Sequence, residues 1–354
     1  MALAALALLA ACSRPGEDVA LPVPKTIQVG GATGQELAAE QILRKGNGTE
    51  PESLDPHRAE GVTSSNTLRD LFEGLVTEAP DGTLIPGAAE SWTISADGRV
   101  YTFKLQPNGR WSNGDPVVAE DFAFGLRRSA DPATLSEYSA ILYPIDNAYA
   151  VVNGSLPPDR LGVQALDPHT LEIRLHSPTP YFLGLLTHSS TYPVHRPSLQ
   201  KFGDRFARPG NLVSNGAYRL NDWVVQSYIQ LVRNPYYWEN DKTTLNEVWY
   251  YPVENAESEL NRYRADEFDM TETVPNRQIP WLKKNLPREL HIVPYLGSYV
   301  YGFNTSQPPF KDNIPLRKAL AMALDRDILV GKITGAGEIA AYGWVPPVTG
   351  YKTQ

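Results

Sequence analysis

Histidines, paired carboxylates and a single cysteine are the residues of this sequence that could carry out chemistry. The six histidines are His57, His169, His176, His188, His195 and His291. They are scattered, and no pair has the spacing that places two metal ligands on one face of a helix. Adjacent carboxylates such as Glu120 and Asp121 could serve acid–base chemistry, although such pairs are typical of a solvated helix start. The pattern predicts no metal site and no bound cofactor.

Several enzyme motifs are missing from the chain. It contains no HExxH zinc motif, no G-x-S-x-G nucleophile elbow, no phosphate-binding P-loop, no dinucleotide-binding glycine pattern and no calcium loop. The net charge of −8 and the pI of about 5.4 argue against a nucleic-acid partner. An enzyme is therefore not expected, and an envelope hydrolase is an alternative without motif support.

The composition is that of a globular protein rich in strands and turns. The chain has 354 residues, of which 42% are hydrophobic and 20% charged, and this length suggests two or three domains. Its 18 tyrosines, 7 tryptophans and 30 prolines favour strands, turns and aromatic-lined surfaces over a helical bundle.

The first residues are typical of an export signal. The apolar run from Ala2 to Ala11 ends in small residues before Cys12, which is the only cysteine. "LLAAC" resembles a bacterial lipobox, so we expect a signal peptide with a lipobox over 1–12 and a lipid on Cys12. The alternative is the apolar start of a cytosolic domain. Residues 13–35 are rich in Gly, Pro and small residues and predict a flexible linker.

Hydrophobic periodicity predicts the elements that position these residues. A helix is expected where apolar residues recur at helical spacing, at Leu68, Leu71, Phe72 and Leu75, with Ser64, Ser65 or Asn66 as its cap. Hairpins are expected around Asp97-Gly98, Asp167-Pro168 and Asn215-Gly216, and Asn113-Gly114 closes a further loop. Trp111 and Phe122 are expected to pin that loop to a following helix. A further helix is expected over 316–333.

Ordered stretches of the sequence resemble one family. "SLDPHRAEGV", "PGAAESW", "RWSNGDPV", "SEYSA", "SNGAYRLNDWVV", "NRYRADEFDM" and "ALDRDI" together resemble the periplasmic oligopeptide-binding proteins of ABC importers, within the extracellular solute-binding protein family 5. The resemblance covers nearly all of the chain after residue 40. It implies an α/β (α+β, mixed-sheet) fold of the periplasmic-binding-protein type, with two lobes and an extra domain.

The resemblance also implies domain bounds. Core lobe I would take 36–72 and 196–296, an extra β-rich domain 73–195, and the start of lobe II 297–354. Because family members run on well beyond "AYGWVPP", we expect lobe II to be incomplete and the chain to be truncated at its C-terminus.

Candidate ligand-binding residues follow from the same resemblance. Glu60, Gly61 and Val62 match the family stretch that lies along the ligand backbone, and Gly61 would let another backbone approach closely. The alternative is a plain loop before a helix. Tyr138 matches a family tyrosine of the extra domain that lines the cleft. Tyr299 and Tyr301 would share one face of a strand and could line the cleft or pack internally.

The expected function is that of the substrate-binding component of an ABC peptide importer. It would capture oligopeptides between two lobes as a monomer and deliver them to a permease in the inner membrane. We expect it in the periplasm or cell envelope, with a lipid on Cys12 as an anchor. One alternative is a truncated product that binds nothing, and another is an envelope lipoprotein with a chaperone-like role. Within the family, the alternative ligands are a dipeptide, a metal or haem.

Overall fold

The structure is a computed structural model that describes residues 37–293, 295 and 297–346. The chain divides after Pro287 into two compact units. The expected signal peptide, Cys12 and the linker over 13–35 lie outside the described residues. The expected core-lobe segments and the β-rich region fall mostly within one of these units, so the bounds inferred for them stay predictions.

The larger unit alternates short helices with hairpins. Its strands are β1 Ile42–Gly46, β2 Val76–Glu78, β3 Leu84–Pro86, β4 Ala89–Ile94, β5 Val100–Leu105, β6 Val163–Asp167, β7 Thr170–Arg174, β8 Tyr218–Val224, β9 Tyr228–Arg233 and β10 Glu247–Tyr251. Its helices are α1 Gly61–Leu71, α2 Ala119–Ala130, α3 Ala148–Val152, α4 Phe182–Leu185, α5 Arg196–Phe202, α6 Ala256–Arg264 and α7 Ile279–Asn285.

The strands form separate sheets with different pairing. One sheet has the order β1-β10-β9-β8, and β1 is parallel to β10 while the other pairs are antiparallel. A second sheet has the order β4-β5-β7-β6 and is antiparallel throughout, and β2 pairs with β3. The expectation of an α/β fold with mixed sheets is confirmed.

Alternation in strand β5 sets the core of the second sheet. Tyr101, Phe103 and Leu105 are buried, whereas the residues between them are half-buried or exposed. Helix α2 lies against β6 and β7 and buries Phe122 and Leu126 completely. The hairpins around Asp97-Gly98 and Asp167-Pro168 are both confirmed, because local alternation with a turn dipeptide specifies such a pair.

Trp111 joins the loop before α2 to the start of that helix. Its indole is 1% exposed, and its Nε1 donates to Asp121 Oδ2 at 3.0 Å. The same carboxylate oxygen accepts the backbone N–H of Val118 at 2.9 Å, which caps the helix. The expected role of Trp111 as a packing residue is confirmed, since one carboxylate ties both the ring and the helix end.

Helix α1 begins earlier than the sequence predicts. Glu60 is its N-cap, and no side chain caps it. The expected caps Ser64 and Asn66 lie inside the helix, and Leu75 lies beyond its end at Leu71. The expectation was wrong because periodicity marks the buried face of a helix, and the first turn of α1 is largely exposed.

The Asn215-Gly216 pair does not form the hairpin turn expected of it. Strands β8 and β9 are joined by 225–227, where Gln226 has φ 60° and Ser227 N donates to Val224 O at 2.9 Å. Gly216 instead donates its N–H to Leu71 O at 2.8 Å, and a Cβ there would lie 2.8 Å from Asp70 O. The glycine of this dipeptide lets the backbone at 216 pack closely against the end of α1.

The unit after Pro287 is helical where the structure assigns regular elements. Helix α8 spans Ile314–Met322, α9 spans Arg326–Ile328, and a π-helical turn covers Leu329–Thr334. The single helix expected over 316–333 is therefore wrong, because Asp325 caps a new start by accepting Ile328 N at 2.9 Å. Across the described part of the chain, no helix has the length and apolar character to cross a membrane.

Replacing the buried indole tests this packing. We expect Trp111→Ala to lower the free energy of unfolding by about 3–5 kcal/mol, because it removes a fully buried aromatic ring and a carboxylate partner. Urea denaturation would measure the loss. Trp281→Ala, at a ring that is 39% exposed, is the control, and a loss at Trp111 no larger than the control would contradict the packing role.

Candidate functional site

The segment Glu60–Val62 is an exposed corner at the start of α1. Glu60 has extended backbone angles, and Val62 is 50% exposed. Gly61 has φ +75°, a conformation that favours glycine, and no atom lies within 4 Å of the position of a Cβ. Without a capping side chain, the first N–H groups of α1 are left for solvent or a ligand.

A buried ion network holds the loop that leads into this corner. Arg128 of α2 donates to both oxygens of Asp55, at 2.8 and 2.6 Å. The Nη1 group of Arg128 also lies 2.8 Å from His57 Nδ1, and His57 Nε2 lies 2.9 Å from Tyr192 O. The Arg128 guanidinium further stacks over the ring of Phe206, 5.5 Å from its centroid. Residues distant in sequence are thereby joined at one point.

The network fixes the protonation of its members. Burial, together with the Arg128 charge, lowers the pKa of His57 to about 4. Neutral His57 then donates from Nε2 to Tyr192 O and accepts from Arg128 at Nδ1. Burial acts to raise the pKa of Asp55, but the hydrogen bonds and charge of Arg128 outweigh it and hold that pKa below its usual value.

Tyr138 lies on a segment tied to the same loop. Arg58 Nε donates to Thr134 O at 2.8 Å, which joins the loop before Glu60 to the turn before Tyr138. Tyr138 is half-buried, and its ring packs on His188 with centroids 4.6 Å apart. The structure thus attaches Tyr138 and the Glu60–Val62 corner to one connected framework.

Tyr299 and Tyr301 lie in the unit after Pro287. Their rings are 85% and 81% exposed and contact each other edge to face, with centroids 5.7 Å apart. The expected strand is wrong, because 297–304 has no regular structure. Their proposed contact with a ligand stays a prediction.

A second polar network holds the inner side of α1. Asn47 Nδ2 donates to Thr63 O at 3.0 Å, and Asn66 Nδ2 donates to Asn47 Oδ1 at 3.0 Å and to Glu272 Oε2 at 2.9 Å. Lys45 pairs with Glu272 at 2.9 Å. Sequence reasoning missed these residues, since each is an ordinary polar residue until the fold brings them together.

Two half-buried acidic residues lie around the far end of α1. Glu73 accepts from Tyr237 Oη at 2.5 Å and from Trp238 Nε1 at 2.7 Å, and burial raises its pKa to about 7. Asp70 accepts from Tyr250 Oη at 2.8 Å, and burial raises its pKa to about 6. Both carboxyls are stabilised by neutral hydrogen-bond donors, which lower the pKa less than burial raises it.

Asp115, His195 and Ser198 resemble a catalytic triad in connectivity. His195 Nε2 lies 3.1 Å from Asp115 Oδ2, and its Nδ1 lies 2.7 Å from Ser198 Oγ. However, Nδ1 also accepts Ser198 N at 3.3 Å, and Ser198 is 7% exposed. The imidazole therefore caps the start of α5, and the serine hydroxyl is too buried for a substrate to reach it. Within the described residues, no group of three or more His, Cys, Asp or Glu could hold a metal.

Comparison with solved structures identifies the fold. The Escherichia coli murein tripeptide binding protein MppA matches with a TM-score of 0.86 and 40% identity, covering 89% of this chain and 62% of that one. Haemophilus influenzae OppA, in complex with RPPGFSPFR, matches with a TM-score of 0.85 and 40% identity over 88% of this chain and 61% of that one. The fold is that of a solute-binding protein.

The family follows from the sequence comparisons. Residues 83–354 match the model for the middle region of the bacterial extracellular solute-binding proteins, family 5. The periplasmic oligopeptide-binding protein OppA of Escherichia coli is 46% identical over 319 residues, which is 89% of this chain. The chain belongs to family 5 of the bacterial extracellular solute-binding proteins. It spans 58% of the length of that relative.

Breaking the buried ion pair tests the framework. We expect Arg128→Met to lower the free energy of unfolding by about 3–5 kcal/mol, because it leaves the Asp55 carboxylate buried and unpaired. Arg69→Met, which removes a surface ion pair with Glu78, should cost less than about 1 kcal/mol. Equal losses in urea denaturation would contradict the role given to Arg128.

The raised pKa of Glu73 predicts a pH dependence of stability. Since its pKa rises on folding from 4.5 to about 7, its contribution to stability is present below pH 4.5 and is lost as pH rises to about 7. The free energy of unfolding of Glu73→Gln, relative to that of the wild type, should therefore rise by about 3 kcal/mol between these pH values. The measurement is urea denaturation at each pH, and Glu120→Gln, on the exposed side of α2, is the control. A pH-independent difference would contradict the assignment.

Proposed function

We propose that this chain is the substrate-binding component of a bacterial ABC peptide importer. In this proposal it binds an oligopeptide along Glu60–Val62 in the periplasm and delivers it to a membrane permease. The observation that carries the proposal is the exposed corner at Gly61, with positive φ, open space above the backbone and no capping side chain.

Backbone recognition explains how such a site tolerates different peptide sequences. Every peptide offers the same alternating N–H and C=O groups, so a receptor that pairs with them binds without reading side chains. The N-terminal N–H groups of α1 suit peptide carbonyls, and the helix dipole favours a negatively polarised group there. Tyr138 would add an aromatic surface beside the backbone, and water could fill the side-chain pockets.

The relatives support this ligand class. The Escherichia coli relative is named as an oligopeptide-binding protein, one solved neighbour as a murein tripeptide binding protein, and another was solved with a nonapeptide. Peptides of three or more residues are therefore the proposed ligands of this chain. Delivery would follow if a ligand contacting two lobes stabilises a closed form that the permease recognises. A lipid on Cys12 would hold the protein at the membrane.

Peptide binding is tested by thermal unfolding of the full chain with tripeptides to hexapeptides. A bound ligand raises the melting temperature in proportion to RT ln(1 + [L]/Kd). A rise is expected with a mixed tetrapeptide library. No rise with any peptide length would contradict the proposed function of this chain, and binding of unfolded proteins alone would favour a chaperone-like role.

A matched pair of glycine variants tests the place of binding. Gly61→Asn keeps a residue that tolerates positive φ but puts a side chain where the peptide backbone would lie. We expect it to weaken peptide binding at least about tenfold, since it blocks backbone pairing. Gly82→Asn is the control, because Gly82 also has φ +81° and open space above it. Equal affinities of the two variants in calorimetric titration would contradict the location.

A further inference from the structure

We propose that Arg58 is a positioning residue for ligand binding, which holds the Tyr138 segment in place relative to the Glu60–Val62 corner. Arg58 would act through the backbone of Thr134 and would not touch the ligand. The inference rests on the proposed function for its effect on affinity, while the clamp itself can be measured without a ligand.

The clamp is a hydrogen bond between residues far apart in sequence. Arg58 Nε donates to Thr134 O at 2.8 Å. The other contact of this guanidinium, from Nη1 to Asp204 Oδ1 at 3.0 Å, joins a side chain that is 35% exposed to one that is 84% exposed. A charged donor on a part-buried carbonyl outweighs an ion pair screened by water. The bond to Thr134 is therefore the one that fixes the geometry.

Hydrogen bonds of the backbone and of the Asp55 side chain hold the loop that carries Arg58. Arg58 N donates to Asp55 O at 3.1 Å and Ala59 N donates to the same oxygen at 2.9 Å. The Asp55 side chain is in turn held by both Nη groups of Arg128. Arg58 thus extends from a fixed turn directly before the corner, so a group bound to it has a defined position relative to Glu60.

The turn that carries the Thr134 carbonyl contains a residue in an unfavourable backbone conformation. Asp131 accepts Ala133 N at 2.9 Å through its side chain and Thr134 N at 2.9 Å through its carbonyl. Leu135 follows with φ 59° and ψ 43° and is 74% exposed. A leucine disfavours this left-handed conformation. Because the Thr134 carbonyl belongs to the peptide link that enters Leu135, Arg58 fixes the orientation of that link.

The direction of the chain after Leu135 decides where Tyr138 lies. Tyr138 comes directly before the short 3-10 turn Ser139–Leu142, and its carbonyl accepts Ile141 N at 3.0 Å. Its ring packs on His188. Releasing the Thr134 carbonyl would let the turn relax from the strained leucine and would displace the ring that the proposed function places beside the ligand.

A double-mutant cycle on the full chain tests the coupling, with a tetrapeptide that binds the wild type as the probe. Arg58→Met keeps the aliphatic stem and loses the donor, and we expect the Kd to rise about tenfold. Asp204→Asn, the matched control, leaves the Thr134 bond intact and should change the Kd less than about twofold. Tyr138→Ala should raise the Kd about tenfold in the wild type but less than about threefold beside Arg58→Met.

Additive losses in that cycle would overturn the proposal, because a merely structural role of Arg58 would not couple to Tyr138 in particular. Hydrogen exchange without ligand separates this inference from the proposed function. The amides of Leu135 and Ile141 should exchange at least about tenfold faster in Arg58→Met than in Asp204→Asn. If the wild type binds no peptide but these amides exchange faster in Arg58→Met, the structural role of Arg58 is supported and the proposed function is contradicted. Unchanged exchange overturns the clamp.

Discussion

The bidentate contact between Arg128 and Asp55 is the interaction on which the candidate site depends. Burying two charges is costly, and here the cost is offset by two short hydrogen bonds, by the neutral imidazole of His57 and by the ring of Phe206. The contact joins helix α2 to the loop before α1. The loop before the exposed corner at Gly61 is thereby held, and in the proposed function less conformational freedom would remain to be lost when a peptide binds there.

Titratable groups around helix α1 respond to acid in opposite directions. His57 is held neutral, so its contribution to stability is present above pH 6.5 and is lost as pH falls towards its folded pKa of about 4. Desolvation raises the pKa values of Glu73 and Asp70, and their contributions to stability are lost as pH rises. The opposing slopes overlap between about pH 4.5 and 6.5, where they partly cancel.

Connectivity alone does not define a functional site in this fold. Asp115, His195 and Ser198 have the residue types of a hydrolase triad, yet their hydrogen bonds close the start of α5. In contrast, Gly61 has no side chain to do chemistry, and its open backbone is the better candidate for binding. The proposed function agrees with this contrast, because recognition of a peptide backbone would need exposed N–H and C=O groups rather than a nucleophile.

The sequence by itself determined the elements whose signals are local. Alternation in β5, the Asp97-Gly98 turn and the packing of Trp111 on α2 follow from neighbouring residues, and the ordered motifs identified the family. Only the tertiary structure decided that α1 starts at Gly61, that Gly216 approaches the end of α1 and that Arg58 reaches the Thr134 carbonyl. The last two features depend on hydrogen bonds to backbone groups distant in sequence, whereas the start of α1 is exposed and carries no apolar periodicity. Since every residue carries the same carbonyl, nothing in the order of side chains marks which one is bound until the chain has folded.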